Sequence, residues 1–365
     1  MRYIRRALAL FAVVAVLSIV VSVVAIEGGC RPEAPAWAGA VAIQPFPEVT
    51  DKNYRRPELN SYFAFPEWHI VYSVEDFGRF LDQANESTFN YPAQILGFWK
   101  SFCAINRLAA GSAETPLVTK AVLYISGISY SAEYAIKGAY ENTIGRVTEW
   151  IRGSQPTPED LYARKVLQDY VAFLYTTPWY KYPFGEKLSG LFAISDPSPS
   201  SVRTWERKFV LGSEYLVKIG YAWLIQKGLD AGGAEAPRDI MFVVRTLPGD
   251  MLAREPRIKV VRALNSDWQL VRVPRYRAFT DILNGILGEG YEVAEIAGNR
   301  NILVSLIAPD SAKLSLGRAQ ELFSLLLDAK PGFRRVGLNA KVADLVLISR
   351  ESKSAGATIE RLYDY

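Results

Sequence analysis

The chain has 365 residues, a formal net charge of +4, 50% apolar residues and 12% aromatic residues. This length leaves room for two folded domains, and this apolar content is ample for a hydrophobic core. The small net charge argues against a protein that binds nucleic acid. With two cysteines and one histidine, the sequence excludes a zinc-type cluster of soft ligands, so we predict no metal site. Phosphate-binding loops and dinucleotide fingerprints are absent, and we predict no cofactor.

The first predicted element is a run from Ala7 to Ile26 that contains no charged residue and follows a basic N-terminus. As a helix it is about 30 Å long, the thickness of the hydrocarbon core of a bilayer. The positive-inside rule places the N-terminus in the cytoplasm and residue 27 on the far side of the membrane. We therefore predict an uncleaved anchor over residues 1–28, in contact with membrane lipid of a bacterial inner membrane, with the bulk of the chain in the periplasm.

Two features near this anchor leave alternatives open. Val23 and Ala25 fit the positions before a signal-peptide cut, so a cleaved signal peptide is the alternative to the anchor. Cys30 and Cys103 would be able to form a disulfide in an oxidising periplasm, which would tie the membrane exit to the folded part. The alternative is two unpaired thiols, and this is the arrangement that we favour.

The fold class that we predict is a transmembrane helix, then a mostly helical domain, then an α+β two-layer domain. Residues 29–60 are rich in proline, alanine and glycine and are predicted to be a spacer. Residues 61–229 have apolar positions at helical spacing and form the predicted helical domain. Its helices are predicted to begin near Pro66 and Pro92 and to cover residues 117–151, 158–175 and 202–227.

The pattern changes after a small-residue linker at residues 230–237. Residues 238–350 are predicted to form the α+β domain, because strands outnumber helices and pair by antiparallel hairpins. The predicted strands are residues 240–246, 258–264, 268–273, 291–296, 302–308, 333–338 and 342–348, and the predicted helices are residues 279–287 and 314–327. Gly298-Asn299 is a strong turn signal and predicts a hairpin between the fourth and fifth strands. Residues 351–365 are predicted to be a tail.

One pattern, Glu-Tyr-x-x-Lys-x-x-Tyr, occurs twice in the predicted helical domain. Its glutamate, its lysine and its second tyrosine fall on one helix face. They are Glu133, Lys137 and Tyr140 in the first copy, and Glu214, Lys218 and Tyr221 in the second. Because both copies lie in apolar surroundings, two facing helices would bury a four-charge cluster edged by tyrosines. The functional interpretation is a polar pocket or proton relay, and the interpretation that we favour is a structural ion-pair network.

The same two helices raise a rival topology in which both cross the bilayer. Their uncharged runs are only about 12 and 8 residues long, short of the roughly 20 that a span needs. Each charged residue at the centre of a span also costs roughly 2.5–3.5 kcal/mol. We therefore favour a single-pass topology.

Two smaller groups of residues are candidate sites. His69, the one histidine, lies two residues after Glu67, and this pair is a candidate acid/base site, although a structural histidine is the preferred interpretation. Arg272, Arg275 and Arg277 are a candidate anion-binding site, because arginine forks bind carboxylate and phosphate. Ordinary surface charge is the preferred interpretation of these arginines.

No stretch of the sequence carries a specific catalytic signature. We predict a single-pass inner-membrane protein whose periplasmic domains act by binding, as a scaffold or an accessory subunit with a protein partner in the envelope. One alternative is a membrane-associated enzyme that acts on lipid or cell-envelope substrates. The other is a polytopic transport component with the charged helices in the bilayer.

Overall fold

The computed structural model describes residues 23, 24, 26, 28–30, 45–109, 117–229, 238–314 and 319–365. Most of the predicted anchor and the whole predicted linker lie outside these residues. The described chain has a mostly helical region followed by an α+β part with two antiparallel four-stranded sheets. Among the described helices, none combines the length and the apolar character needed to cross a membrane.

The helical region contains helices α1 to α7 within residues 45–109 and 117–229. They are Leu59–Leu81 (α1), Tyr91–Ala109 (α2), Leu117–Tyr140 (α3), Arg146–Arg152 (α4), Pro158–Leu174 (α5), Phe184–Phe192 (α6) and Ser201–Leu229 (α7). Helix α5 begins with a capping box, in which Thr157 and Asp160 each bond the backbone N–H of the other. The predicted helices at 158–175 and 202–227 are confirmed to within two residues at each end.

One predicted helix start in this region is wrong, one predicted helix is interrupted, and one helix was not predicted. Helix α1 begins at Leu59, and Pro66 lies inside it instead of starting it. The buried side chains of Tyr62 and Phe63 supply tertiary packing that extends the helix past the proline. The predicted helix over 117–151 is interrupted by one π-helical turn at Glu141–Gly145. Helix α6 was not predicted.

The α+β part contains strands β1 to β8 and three α-helices within residues 238–314 and 319–365. The strands are Asp239–Arg245 (β1), Lys259–Ala263 (β2), Trp268–Pro274 (β3), Val293–Ile296 (β4), Asn301–Pro309 (β5), Ala319–Leu326 (β6), Phe333–Lys341 (β7) and Thr358–Leu362 (β8). The helices are Gly249–Arg254 (α8), Arg277–Gly288 (α9) and Leu345–Ser354 (α10). The strand orders are β2-β3-β1-β4 and β6-β7-β5-β8, and all pairs are antiparallel. The predicted hairpin of β2 with β3 and the predicted helix at 279–287 are confirmed.

The predicted hairpin around Gly298-Asn299 is wrong, although its turn is present. Ile296 and Asn299 exchange backbone hydrogen bonds of 3.0 and 2.9 Å across the turn. The two strands then separate, because β4 pairs with β1 while β5 pairs with β7 and β8. The turn therefore carries the chain from one sheet to the other.

Three predictions near the C-terminus are also wrong. Residues 319–326 of the predicted helix form β6, because β7 offers them a backbone partner along the whole strand. The predicted strand at 342–348 is a 3₁₀ turn at Val342–Asp344 followed by α10. The predicted tail contains β8, which pairs with β5, and its residue Tyr363 is 1% exposed.

The two parts of the molecule share a hydrophobic core. Phe63 and Phe65 of α1 pack in one cluster with Phe323 and Leu325 of β6 and with Tyr363. A second cluster lies within the α+β part and joins both sheets to α9 and α10. Described residues of the predicted spacer add a third cluster against β1 and β3, through Phe46, Val49 and Tyr54.

Cys30 and Cys103 form a disulfide, so the prediction of unpaired thiols is wrong. Their Cα atoms lie 5.0 Å apart, which is within the usual range for a disulfide. The bond joins residues separated by 73 positions in sequence. It ties the chain just after the uncharged run to α2.

Candidate functional site

The two copies of the Glu-Tyr-x-x-Lys-x-x-Tyr pattern lie on α3 and α7, and the structure brings their charges together. Lys137 Nζ lies 3.3 Å from Glu214 Oε2. Lys218 Nζ lies 3.1 Å from Glu133 Oε1 and 3.4 Å from Glu214 Oε1. Two of these three ion pairs cross between the helices. The sequence pattern alone suggested pairs within each helix, and only the pair of Glu214 with Lys218 is of that kind.

The second tyrosines of the two copies, Tyr140 and Tyr221, have different surroundings. Tyr140 donates a hydrogen bond of 2.9 Å to Glu206. Tyr221 packs against Trp179, with 5.2 Å between ring centroids, and is 37% exposed. Tyr140 therefore belongs to the charged interior, and Tyr221 belongs to the rim of the bundle.

The contacts between α3 and α7 pair residues that come later in α3 with residues that come earlier in α7. Tyr140 contacts Glu206, and Lys137 contacts Glu214. Further back along α3, Glu133 contacts Lys218. The two helices are therefore antiparallel neighbours held together by a row of polar contacts.

The pKa values of the central pair keep both groups charged. Burial works to raise the pKa of Glu214, but Lys137 and Lys218 outweigh burial and lower it to about 2. Burial works to lower the pKa of Lys218, but Glu133 and Glu214 outweigh it and raise this pKa well above its usual value. At neutral pH neither group exchanges a proton readily, so the cluster is suited to holding structure more than to general acid–base catalysis.

A cavity of about 60 Å³ lies beside these pairs. Its polar lining includes Lys137, Glu141, Arg207 and Glu214, and its apolar lining includes Phe77. One water occupies roughly 10–15 Å³ on this kind of measure, so the cavity has room for a few waters. It is too small for an organic substrate, since ligand pockets are usually about 300–1,000 Å³.

A second charged cluster lies further toward the start of α7 and was not predicted as a site. Arg203 is 0% exposed and Arg207 is 2% exposed. The two arginines lie four residues apart in the sequence. Their spacing from Leu211, Glu214 and Lys218 puts all five side chains on one stripe of α7. This stripe is the sequence feature from which the two buried arginines would have been predicted.

Each buried arginine has carboxylate partners on other segments. Arg203 Nε donates to Asp160 Oδ1 at 3.0 Å, and Nη1 lies 3.1 Å from Glu206 Oε2. Arg207 Nη2 lies 3.0 Å from Glu141 Oε1, and its Nε donates to Glu206 Oε2 at 2.8 Å. Bonds of this charge-assisted type are about twice as strong as neutral hydrogen bonds.

The π-helical turn between α3 and α4 shapes this cluster. Glu141 is the first residue of the turn and is 1% exposed. Burial raises the pKa of Glu141, and its bond to Arg207 offsets part of that rise. A Cβ atom at Gly145 would collide with the Glu141 carboxylate, so a larger residue there would displace the carboxylate from its place beside Arg207. Single π turns of this kind are frequent at functional sites.

The candidate acid/base residues do not come together. His69 is 3% exposed, and its Nε2 lies 2.9 Å from the backbone oxygen of Gln94. Burial lowers the pKa of His69 to about 4, so it is neutral at physiological pH. Glu67 is exposed on another side of α1. The neighbours of His69 are Ser73 and the ring of Tyr130, which form a packed interior.

The three candidate anion-binding arginines have separate environments. Arg275 Nε lies 2.5 Å from a carboxylate oxygen of Asp364. Arg277 lies over the ring of Tyr175, 5.2 Å from its centroid. Arg272 is exposed on β3. Their anion-binding role stays a prediction.

The outer sides of α3, α4 and α7 carry a set of exposed apolar side chains, which we call the apolar face. On α3, the π turn and α4 they are Val118, Val122, Ile125, Ile136, Ile144, Val147, Trp150 and Ile151. On α7 they are Val202, Trp205, Phe209, Leu216, Val217, Trp223 and Leu224. The three tryptophans are 82%, 70% and 57% exposed, in sequence order. Patches of this extent on soluble proteins usually mark interaction sites.

Comparisons with known protein families, with curated proteins and with solved structures find no match to this chain. In the part of the chain that the structure describes, no three His, Cys, Asp or Glu side chains are placed to hold a metal ion. The charged interior and the apolar face are therefore the two features of the described residues that indicate a function.

Proposed function

We propose that this chain is a single-pass protein of a bacterial inner membrane, with its helical region and its α+β part in the periplasm. It acts there as a binding or accessory subunit. The observation that carries this proposal is the apolar face of α3, α4 and α7. An apolar surface of this size is costly to leave in water, because each square ångström of it costs about 25 cal/mol. A partner that covers the face recovers that free energy.

The composition of the face fits protein binding. Trp150, Trp205 and Trp223 are spread over α4 and both ends of α7, with aliphatic side chains among them. Tryptophan is among the residues most enriched where a few side chains supply most of the binding energy. Tryptophan also loses little conformational entropy on binding, because its side chain has two rotatable bonds.

The charged interior supports the same role by holding the face in one shape. Glu214 is bound at once by Lys137 from α3 and by Lys218 from α7. Arg203 and Arg207 hold α7 to the segments before and after α4. A surface that is already rigid loses less entropy on binding than a mobile one.

The disulfide supports the periplasmic location. Disulfides persist in oxidising compartments such as the bacterial periplasm and are rare in the cytosol. Cys30 follows the uncharged run by four residues, and its bond to Cys103 fits a chain that leaves the membrane at that point. Alkaline phosphatase fused after Asn142, Gly228 or Tyr365 is expected to be active in all three fusions. Inactivity after Asn142 alone would favour the polytopic alternative.

The binding role is tested by the size of the complex in membranes. Full-length protein is extracted with its surrounding lipid by a styrene–maleic acid copolymer and is separated on a native gel. We expect the wild type to migrate as a complex larger than one chain, and Leu216→Glu to shift to the single-chain position. The matched control is Leu326→Glu, because Leu326 is also an exposed leucine (74%) but lies on β6, outside the face. Equal migration of both variants and the wild type would contradict the proposal.

A further inference from the structure

We infer that the partner on the apolar face is a second copy of this chain, so that the protein forms a symmetric dimer in the membrane. The inference rests on the binding function proposed above and names the partner. Three features of the described residues carry it: the extent of the face, the pairing of its charges and the position of Cys30, which follows the proposed anchor.

The extent of the face matches what a stable dimer needs. Trp150, Trp205, Phe209 and Trp223 are between 57% and 82% exposed. Aromatic side chains bury about 150–250 Å² each, so these four alone offer roughly 500 Å². The aliphatic members bring the face above the roughly 800 Å² that each partner contributes to a standard interface.

The charges of the face allow two identical copies to meet. Between Val202 and Leu224, every charged side chain of α7 is held in an ion pair within the chain. Glu133 on α3 is 44% exposed, and Lys218 neutralises it at 3.1 Å. Two identical surfaces often place like charges opposite each other, and like charges that face each other across an interface cost several kcal/mol. Along α7 and at Glu133 the apolar face avoids this penalty.

The proposed membrane anchor holds the apolar faces of two copies at the same distance from the bilayer. The disulfide fixes Cys30 against Cys103 near the end of α2, so each copy is joined to its anchor at the same place. A two-fold axis along the membrane normal then brings α3 and α7 of two copies together at matching levels. Copies held in one bilayer also meet at a raised effective concentration. A different partner would need an apolar surface at this same level.

The experiment uses two full-length copies with different affinity tags, expressed together in a bacterial host. One copy carries the photo-crosslinking residue p-benzoylphenylalanine in place of Trp205, Leu216 or Trp223, in three separate strains. Irradiation is expected to give a product of about twice the 40.7 kDa chain mass that carries both tags. The residue in place of Leu326 is the control and is expected to give no such product. Adding Val217→Glu to both copies is expected to reduce the product by at least tenfold.

The other outcomes separate this inference from the proposed function. Products with a different protein, and none that carries both tags, overturn the second copy and leave the binding role intact. Products with lipid alone overturn both, and they assign the face to the bilayer. Absence of any product at all three face positions also overturns both.

Discussion

The surroundings of α7 in the helical region and the surface of the α+β part place their arginines and large apolar side chains in opposite ways. In the helical region Arg203 and Arg207 are buried, and Trp150 and Trp205 are exposed. In the α+β part Phe279 is 0% exposed and belongs to an apolar core. Its arginines mostly lie outside, for example Arg254 with Asp250 and Glu289, and Arg257 with Glu255.

This difference indicates which of the two parts has an apolar surface left for a partner to cover. A buried ion pair loses hydration energy that its attraction only partly returns, so the charged interior of the helical region contributes order more than stability. Its apolar face offers a further gain only when something covers it. The α+β part has fewer large apolar side chains exposed, and many of its ion pairs, such as Arg254 with Asp250, lie in water, where each is worth about 0–1 kcal/mol. Arg335 is an exception, because it is 4% exposed and pairs with Asp76 and Glu360. We therefore place the binding surface in the helical region.

The sharpest test of the comparison removes one arginine from each part. Arg203→Met should lower the free energy of unfolding by about 3–5 kcal/mol, because it removes a buried charge that pairs with Asp160 and Glu206 and leaves these buried carboxylates with only Arg152 and Arg207. Arg254→Met should cost less than about 1 kcal/mol, because Arg254 is 61% exposed. Urea unfolding followed by circular dichroism measures both. Equal losses would contradict the opposite arrangement of the two parts.

The converse test truncates one phenylalanine in each part. Phe279→Ala should lower the free energy of unfolding by about 3–5 kcal/mol, because it empties a site in the apolar core of the α+β part. Phe209→Ala should change it by no more than about 0.5 kcal/mol in detergent solution, because Phe209 is 69% exposed. The same urea titration is the measurement. A large loss for Phe209→Ala would place that side chain in a core.

The pH dependence of the charged interior gives a somewhat smaller effect. The pKa of Glu214 is about 2 in the folded protein against a usual value of 4.5, so its stabilising contribution is present above about pH 4.5 and is lost as the pH falls toward 2. The shift corresponds to about 3 kcal/mol at neutral pH. We expect the stability difference between wild type and Glu214→Gln to shrink by about this amount between pH 6 and pH 2.

The matched control for the pH experiment is Glu255→Gln in the α+β part. Hydrogen bonding to Arg257 lowers the pKa of Glu255, but this pair lies at the surface, so its difference from wild type should stay below about 1 kcal/mol. Thermal unfolding at several pH values, followed by circular dichroism, measures both differences. A difference for Glu214→Gln that does not change with pH would contradict the low pKa of this group.

The smallest expected effect concerns the seam between the two parts. Tyr62 of α1 donates a hydrogen bond of 2.6 Å to Asn339 Oδ1 of β7, and both residues are buried. Tyr62→Phe should cost about 1 kcal/mol, because it leaves the Asn339 acceptor unpaired. Tyr276→Phe is the control, since Tyr276 is 46% exposed. If Tyr62→Phe leaves the stability unchanged, the two parts do not depend on this bond.

The sequence alone determined the elements whose signals are local. Helices α5 and α7 match their predicted bounds closely, because helical periodicity and the cap at Thr157 act within a few residues. The repeated pattern also identified Glu214 and Lys218 as members of a charged cluster. What it did not reveal is which helix supplies each partner, since a pair within one helix and a pair between two helices require the same residue types.

Tertiary structure decided the rest, because its causes are distant in sequence. The segment Ala319–Leu326 becomes a strand through β7, and the segment Thr358–Leu362 becomes a strand through β5. The disulfide joins residues 73 positions apart, and local spacing carries no information about such a partner. Arg203 is buried because Asp160 and Glu206 neutralise it in the fold. Without these partners an arginine in that place would remain in water.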